Sequence, residues 1–190
     1  MSSITLSRTR MLLTAISLLL ATTPVLAGDI TPKMQPKIDQ YKKQAVAWAM
    51  DPLLVQSVKE ANAQGPIPGM GNAKWRELKE NDPQVLSFVT NPAGQMLTKW
   101  MNSDAKAINK IVLSGAKSQR VAFTSMPAIY LGKGKPNFDE AIDGKVWQQG
   151  ETKPDPSTNI ETVQIAAPVK DGDKVIGVLL VSLTADNLQK

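Results

Sequence analysis

Neither histidine nor cysteine occurs in this 190-residue chain, and that absence limits the chemistry available to it. It removes the Ser-His and Cys-His pairs that activate many protein nucleophiles, together with the commonest zinc ligands. The remaining acid–base candidates are carboxylates, of which Asp139, Glu140 and Asp143 lie close together. A solvated face of a short helix is the simpler explanation of these three, so the sequence predicts a protein that is not an enzyme.

Two further motifs lack parts that their chemistry requires. Gly132-Lys133-Gly134-Lys135 has neither the spacing nor the final Ser or Thr of a phosphate-binding loop. Asp171-Gly172-Asp173 lacks the spaced oxygen ligands and the closing Glu of a calcium loop, and its place between two apolar runs indicates a turn. The sequence therefore predicts no cofactor and no metal.

A binding site is the remaining use for the aromatic and charged residues in the middle of the chain. Pockets are usually apolar, with a few polar groups that orient the ligand. Three aromatic residues, two lysines and one aspartate fit that description: Tyr130, Phe138, Trp147, Lys133, Lys135 and Asp155. The lysines would meet an anionic group and the aspartate a cationic one. The alternatives are a solvated position for the lysines and a place in the core for Trp147.

The first half of the chain has helical periodicity. Apolar residues recur at helical spacing from Lys37, and Asp51-Pro52 is typical of a helix start, so the chain before Gly65 forms either two helices or one long kinked helix. Shorter helices are predicted over residues 74–80, 84–90 and 93–102. The helical half then ends near Ser103.

The second half has the two-residue period of β-structure. Ile108 to Leu113 and Arg120 to Thr124 predict a hairpin, and Ser125 to Lys135 predicts an irregular crossing segment. Three short features follow: helical turns at Pro136 to Ile142, a strand around Trp147, and a rigid loop at Lys153 to Ser157.

The closing block, Ile160 to Leu183, has the clearest structural pattern in the chain. Apolar residues occupy every second position from Val163 to Val169, as in a half-buried strand. Asp171-Gly172 marks a hairpin turn, and Val175 to Val181 is apolar almost throughout, as a strand buried on both faces is. This hairpin brings the antiparallel sheet to roughly five strands, so the sequence predicts an α+β fold.

Helices followed by such a sheet and a crossing segment resemble the extracellular sensor domains of the Cache type, also called PDC domains, which are relatives of PAS domains. The resemblance covers most of residues 37–185 and is carried by these motifs: Trp48-Ala49-Met50-Asp51-Pro52, Ile111-Val112-Leu113-Ser114, Val121-Ala122-Phe123-Thr124, Asp155-Pro156-Ser157-Thr158, Ala167-Pro168-Val169-Lys170-Asp171-Gly172, and Val175-Ile176-Gly177-Val178-Leu179. It implies N-terminal helices packed on a PAS-like sheet, with a ligand pocket beside Tyr130 to Phe138.

Two departures from the family pattern concern the ligand. Many amino-acid-binding members carry an Asp on the last strand, where this chain has Val181-Ser182-Leu183. The crossing segment has Lys135-Pro136-Asn137-Phe138 in place of an Arg-x-x-Trp-Tyr pattern. The resemblance therefore implies a small polar or anionic ligand rather than an amino acid in particular.

The first 27 residues predict a signal peptide that is cleaved before Gly28. The pattern has three parts: Arg8 and Arg10, the apolar run Met11 to Leu20, and the small residues Val25-Leu26-Ala27. An uncleaved membrane anchor is the alternative, but the uncharged run of 18 residues is barely long enough to span and Pro24 interrupts it. Residues 28–36 would then be a lead-in, and residues 37–190 a single Cache-like ligand-binding domain.

Charge and cysteine content narrow the location and the partners. Removing residues 1–27 lowers the formal net charge from +5 to +3, a mild bias without the basic cluster that nucleic-acid binding requires. The lack of cysteine excludes disulfides and the acceptor thiol of a bacterial lipoprotein. The sequence therefore predicts a periplasmic protein that does not insert into the membrane after cleavage.

Three functions are compatible with these observations. The first is an exported, soluble sensor domain that binds a small metabolite and relays its signal through a partner, such as a membrane-bound signalling protein. The second is a non-catalytic interaction or structural protein of the cell envelope, with the same fold and a filled pocket. The third is a carboxylate-based hydrolase that acts on a wall polymer through Asp139, Glu140 or Asp155.

The cleavage site is directly testable. Mass spectrometry of the protein from its native host should give a mature N-terminus at Gly28, because the small residues before it suit signal peptidase. An intact N-terminus in the membrane fraction would contradict cleavage and support the anchor.

Overall fold

The computed structural model of the protein describes residues 28–190, so the predicted signal peptide lies outside the described residues. Within that range there are seven helices: α1 Gln35–Ala49, α2 Pro52–Gln64, α3 Asn72–Trp75, α4 Pro83–Thr90, α5 Pro92–Ser103, α6 Pro136–Ile142 and α7 Ala185–Leu188. There are seven strands: β1 Gly28–Asp29, β2 Ile108–Gly115, β3 Arg120–Phe123, β4 Trp147–Gln148, β5 Glu151–Pro154, β6 Glu161–Asp171 and β7 Lys174–Thr184.

Three helices of the first half begin with the same local device. A capping side chain accepts a hydrogen bond from the backbone, and proline occupies the first helical position. Asp51 caps α2 in this way, Asp82 caps α4, and Asn91 caps α5. The break at Met50 and Asp51 separates α1 from α2, so of the two predicted arrangements the chain adopts two helices.

The strands form one sheet in the order β1-β5-β6-β7-β2-β3, with β4 also paired to β6. Every pair is antiparallel, as predicted. The count of roughly five strands was too low because β1 and β5 add to the sheet. Part of the predicted rigid loop is also a strand: Lys153 and Pro154 lie in β5 and pair with Thr162 and Glu161 of β6.

The two faces of the sheet have different coverings. Helices α1, α2 and α5 pack on one face, where Val163, Ile165 and Val181 are fully buried in the main core. On the opposite face of β6, Ala166 is buried beneath Phe138 of α6. β7 is thus buried on both faces, as predicted, and β6 is more deeply buried than a half-exposed strand.

Strand alternation selects the residues that face the crossing segment. Because side chains point alternately to the two faces, Lys110, Val112 and Ser114 of β2 lie on the face opposite the main core. Val178 and Leu180 of the paired strand β7 share that face. The crossing segment, residues 125–135, passes over these residues.

The close approach of α2, β2 and β7 gives a test of this packing. A Cβ built on Gly177 would lie 2.8 Å from Val58 Cγ1 and even closer to the backbone carbonyl of Ser114. Gly177→Ala should lower the free energy of unfolding by about 1–3 kcal/mol, as overpacking of a dense core does. Urea denaturation measures the change.

Gly150→Ala is the matched control, because a Cβ there would have no neighbour within 4 Å. It should change stability by no more than about 0.5 kcal/mol. Equal stabilities of the two variants would contradict the packing of α2 on this part of the sheet.

Candidate ligand-binding site

A cavity of about 200 Å³ lies between the second face of the sheet and the crossing segment. Its floor is apolar and includes Val112, Val178 and Leu180. Residues 127–129 of the crossing segment and Phe138 of α6 also line it. Its polar groups come from strands β2, β3 and β6, from helix α6, and from the residues just before α6 and just after β5: Lys110, Ser114, Arg120, Lys135, Asn137, Asp155 and Gln164.

Arg120 is the central charged group of the cavity. Its side chain is buried, with the residue only 9% exposed. Nη1 donates a hydrogen bond to Ser114 Oγ at 2.7 Å, and Nε donates to the carbonyl oxygen of Ile129 at 3.0 Å. The guanidinium therefore joins the sheet to the crossing segment.

The guanidinium keeps its charge and part of its hydrogen-bonding capacity. Burial lowers the pKa of Arg120 to about 10, and Tyr130 acts in the opposite direction, so the group is cationic at neutral pH. Of five N–H groups on a guanidinium, two are donated, and the other three have no acceptor among residues 28–190. The salt bridges within that range do not include Arg120.

A second buried charge, Lys110, is neutralised by the chain itself. Lys110 Nζ lies 2.7 Å from Asp155 Oδ1 and also donates to Ser157 Oγ at 2.6 Å. Asp155 Oδ1 accepts further hydrogen bonds from the backbone and hydroxyl of Ser157, at 3.0 and 2.8 Å. This network ties the loop after β5 to strand β2.

Burial and charge act against each other in this pair. Burial tends to raise the pKa of Asp155, but the Lys110 ammonium and the Ser157 hydrogen bonds outweigh it, and the pKa lies below its usual value. Burial lowers the pKa of Lys110, and the attraction of Asp155 offsets part of that effect. The short contact and the four donors on Oδ1 favour the charged pair.

The cavity therefore has a net positive charge and one unused acceptor. Lys110 and Asp155 cancel, which leaves Arg120 and the exposed Lys135 at the rim. Asp155 Oδ2 is buried and receives no hydrogen bond from the described residues. Nearby, Asn137 Nδ2 donates to Gln164 Oε1 at 2.8 Å. Such a site suits an anionic group at Arg120 and a hydrogen-bond donor at Asp155.

Three of the six predicted site residues line this cavity: Lys135, Phe138 and Asp155. The other three lie outside it. Tyr130 is 1% exposed, its ring stacks on Trp75 with centroids 5.4 Å apart, and its hydroxyl accepts a hydrogen bond from Ile67 N. Lys133 is exposed beside Asp139 in a separate surface depression. Ligand contact by any of the six stays a prediction.

Trp147 is partly buried, and its contact with a ligand stays a prediction. It lies in β4, opposite Ala166 of β6, and packs against the small cluster around Phe138.

Burial raises the pKa of the Tyr130 hydroxyl, and the Ile67 N–H and the charge of Arg120 act in the opposite direction. Tyr130 therefore supports the crossing segment as a neutral packing residue.

The sequence prediction omitted Arg120, Lys110 and Ser114. All three lie in strands, where the alternating pattern alone does not distinguish a polar site residue from a solvent-facing one. A usable signal is present in Lys110-Ile111-Val112-Leu113-Ser114, where polar residues at both ends fall on the same face by alternation. A buried lysine in an apolar strand requires a partner, and a partner implies a polar site nearby.

Comparisons with known proteins identify the fold. No profile of a known protein family matches the chain, and no curated protein matches it in sequence. The sensor domain of the Vibrio cholerae histidine kinase DctB superposes with a TM-score of 0.55 and 14% identity, over 83% of this chain and 54% of that domain. The chain thus spans about half of the DctB sensor domain.

Two other solved domains are more distantly similar. The ligand-binding domain of the Campylobacter jejuni chemoreceptor Tlp3, in complex with L-valine, has a TM-score of 0.44 and 17% identity, over 84% of this chain and 66% of that one. The Escherichia coli DcuS sensor domain has a TM-score of 0.41 and 11% identity, over 70% and 95%.

The DctB comparison shows that the chain has the α+β fold of the Cache, or PDC, sensor domains, which confirms the predicted fold class and resemblance. Between residues 28 and 190, no helix has both the length and the apolar character that crossing a bilayer requires. The same residues contain no group of three or more carboxylates arranged to hold a metal ion.

The buried pair predicts a specific pH dependence. Asp155→Asn should lower the free energy of unfolding by about 3–5 kcal/mol at pH 7, because Lys110 then remains buried without a counter-charge. A carboxylate with a lowered pKa contributes stability above its unfolded pKa of about 3.9, and loses it as pH falls through the folded value. Urea unfolding from pH 7 to pH 3 should therefore show the difference between wild type and variant shrinking below about pH 4.

Lys110→Met combined with Asp155→Asn supplies the control. Removing both charges should recover much of the stability lost in the single variant, since no uncompensated charge remains. A stability difference that stays constant with pH, or a double variant no more stable than Asp155→Asn, would contradict the pairing.

Proposed function

We propose that this chain is an exported sensor domain that binds a small carboxylate metabolite in the cavity beside Arg120. The observation that supports it most is a buried, charged guanidinium with three N–H groups that no described residue accepts. Burying such a charge is costly unless it is paired. A carboxylate matches a guanidinium in charge and in the geometry of two parallel hydrogen bonds.

The proposed ligand also carries a hydrogen-bond donor. Asp155 Oδ2 is buried without a donor, and a buried acceptor left unsatisfied costs about 1–3 kcal/mol. A hydroxyl or amino group on the ligand would satisfy it after a small adjustment of the carboxylate. The volume of about 200 Å³ suits a molecule of few heavy atoms. A short hydroxy or amino acid has both groups.

Binding without chemistry is part of the proposal. Glu140 pairs with Lys145, Asp139 accepts a hydrogen bond from Gly134 N, and Asp155 is engaged by Lys110. Each of the three carboxylates considered for a hydrolase thus has a local structural role. The neighbour DctB is, by its name, a histidine kinase with a sensor domain, which agrees with a binding role for this fold.

Export and signal relay belong to the same proposal. Export is supported by the signal-peptide pattern of residues 1–27. The sensor role of the DctB domain agrees with a signalling role, which we propose takes the form of relay through a separate membrane-bound signalling protein. Chemical crosslinking in periplasm, with and without ligand, should trap a partner whose yield changes with ligand. If the yield of the crosslinked partner does not change with ligand, relay of the signal through that partner is contradicted.

Calorimetry and thermal shift with L-lactate and L-lactamide test the site. Lactate has the carboxylate and the hydroxyl, whereas lactamide replaces only the charged group. Lactate at ~100 times its Kd should stabilise the protein by about 2.7 kcal/mol, and lactamide should have little effect. Propionate, which lacks the hydroxyl, should bind more weakly than lactate because Asp155 Oδ2 stays unsatisfied.

Arg120→Ala should abolish the lactate response, because it removes the cation that faces the carboxylate. Arg76→Ala is the matched control, since Arg76 is an exposed arginine on the surface beyond α3. If lactate, other short hydroxy acids and short amino acids all fail to bind the wild type, the proposal is wrong. Equal binding to the Arg120→Ala variant would also overturn it.

A non-catalytic interaction protein is the second candidate function, and one observation favours it. Trp48 and Trp100 stack with centroids 4.9 Å apart and rings 3° from parallel, and both are partly exposed. Met50, two residues after Trp48, is 62% exposed. Three results together would favour this second function. Met50→Glu abolishes capture of a partner, Arg120→Ala leaves that capture unchanged, and the wild-type protein shows no response to ligand.

A further inference from the structure

Asn72, the first residue of α3, makes three hydrogen bonds to the crossing segment. Its Oδ1 accepts from the backbone N–H groups of Tyr130 and Leu131, at 2.9 and 2.8 Å. Its Nδ2 donates to the carbonyl oxygen of Leu131 at 3.1 Å. The side chain thus binds two consecutive residues of the crossing segment much as a neighbouring strand would.

Asn72 and Arg120 bind the two ends of the same peptide group. The carbonyl of Ile129 and the N–H of Tyr130 belong to one peptide unit, which is planar and rigid. Asn72 accepts from its N–H, and Arg120 Nε donates to its oxygen. Because the peptide is planar, the hydrogen bond that fixes its N–H also fixes the direction of its C=O bond relative to the guanidinium.

Two neighbouring contacts hold the rest of the crossing segment against the helical half. Trp75 Nε1 donates to the carbonyl oxygen of Pro127 at 2.7 Å. Ile67 N donates to the Tyr130 hydroxyl at 3.0 Å. The bridge between Gln119 and Leu131 and the hydrogen bond from Gly132 N to Ser118 O hold the segment on the C-terminal side of the Ile129–Tyr130 peptide. Among the described residues, Asn72 is the side chain that accepts from the N–H of that peptide.

We propose that Asn72 is a positioning residue for the anion site, acting through the Ile129–Tyr130 peptide on the guanidinium of Arg120. The role rests on the proposed function, since it concerns how Arg120 is aimed at the ligand. Asn72 does not line the ligand cavity. Without it, the Ile129–Tyr130 peptide loses the acceptor of its N–H, and the carbonyl that receives the Arg120 Nε–H is held less firmly.

Asn72→Ala tests the proposal with L-lactate as the probe. It should weaken lactate binding on the order of ten-fold, the effect expected when one well-placed hydrogen bond of the site is lost. Asn72→Asp keeps the Oδ1 acceptor for both N–H groups but replaces the Nδ2 donor with an oxygen that faces the Leu131 carbonyl, so it should recover part of the affinity. Isothermal calorimetry of the whole protein measures both.

Asn62→Ala is the matched control. Asn62 also joins a helix to the sheet: it accepts from Ala116 N at 2.8 Å and from Gln119 Nε2 at 3.3 Å, and it donates to Ile176 O at 2.7 Å. None of these three partners belongs to the crossing segment. It should reduce stability as Asn72→Ala does and leave lactate affinity within two-fold of wild type. Equal losses of affinity in the two variants would reduce Asn72 to a purely structural role and overturn the proposal.

A readout that needs no ligand separates this proposal from the proposed function. NMR of the protein should show slow exchange of the Arg120 Nε–H and the Tyr130 amide in wild type and Asn72→Asp, and faster exchange of both in Asn72→Ala. Unchanged exchange of the Arg120 Nε–H in Asn72→Ala would refute the positioning role, even if lactate binds. Failure of lactate and its analogues to bind wild type would refute the proposed function, and exchange would then decide the positioning role alone.

Discussion

Burying the guanidinium of Arg120 between a sheet and a crossing segment is costly, because charge leaves water and its N–H groups require acceptors. The protein supplies two acceptors, Ser114 Oγ from the sheet and the Ile129 carbonyl from the crossing segment. These two bonds hold the segment at a fixed height above the apolar floor. Arg120 also lines the cavity that lies between this segment and the sheet.

The rest of the architecture supports that arrangement from both sides. Antiparallel pairing of β2 with β7 places Ser114 opposite Val178, which sets the polar wall next to the apolar floor. The helical half secures the crossing segment through Asn72 and Trp75. The Lys110–Asp155 pair ties the loop after β5 to the sheet and cancels one buried charge with another. A single positive group, Arg120, is thereby left buried at the cavity without a counter-ion from residues 28–190.

The fold was more predictable from sequence than the site, for a physical reason. Periodicity reports which residues a strand or helix buries, so the closing hairpin and the capped helices followed directly from local pattern. The site depends on contacts that periodicity does not report: the hairpin register that sets Arg120 opposite Ser114, and the position of the loop after β5, which brings Asp155 to Lys110. Lys135, Phe138 and Asp155 were identifiable because they lie in or beside irregular segments, whereas a charge inside a strand pattern indicates only that a partner is needed. Tyr130 was predicted to face the pocket from its aromatic ring and from the family resemblance. Its ring packs in the cluster around Trp75, and its contact with a ligand stays a prediction.

The central claim is that the unused N–H groups of Arg120 receive a ligand carboxylate. A crystal structure of the protein with the most strongly stabilising short hydroxy or amino acid tests it most directly. The account predicts a carboxylate within about 3 Å of Arg120 Nη2, with the ligand's hydroxyl or amino group at Asp155 Oδ2. A ligand bound elsewhere, with Arg120 still bonded only to Ser114 and Ile129, would contradict it.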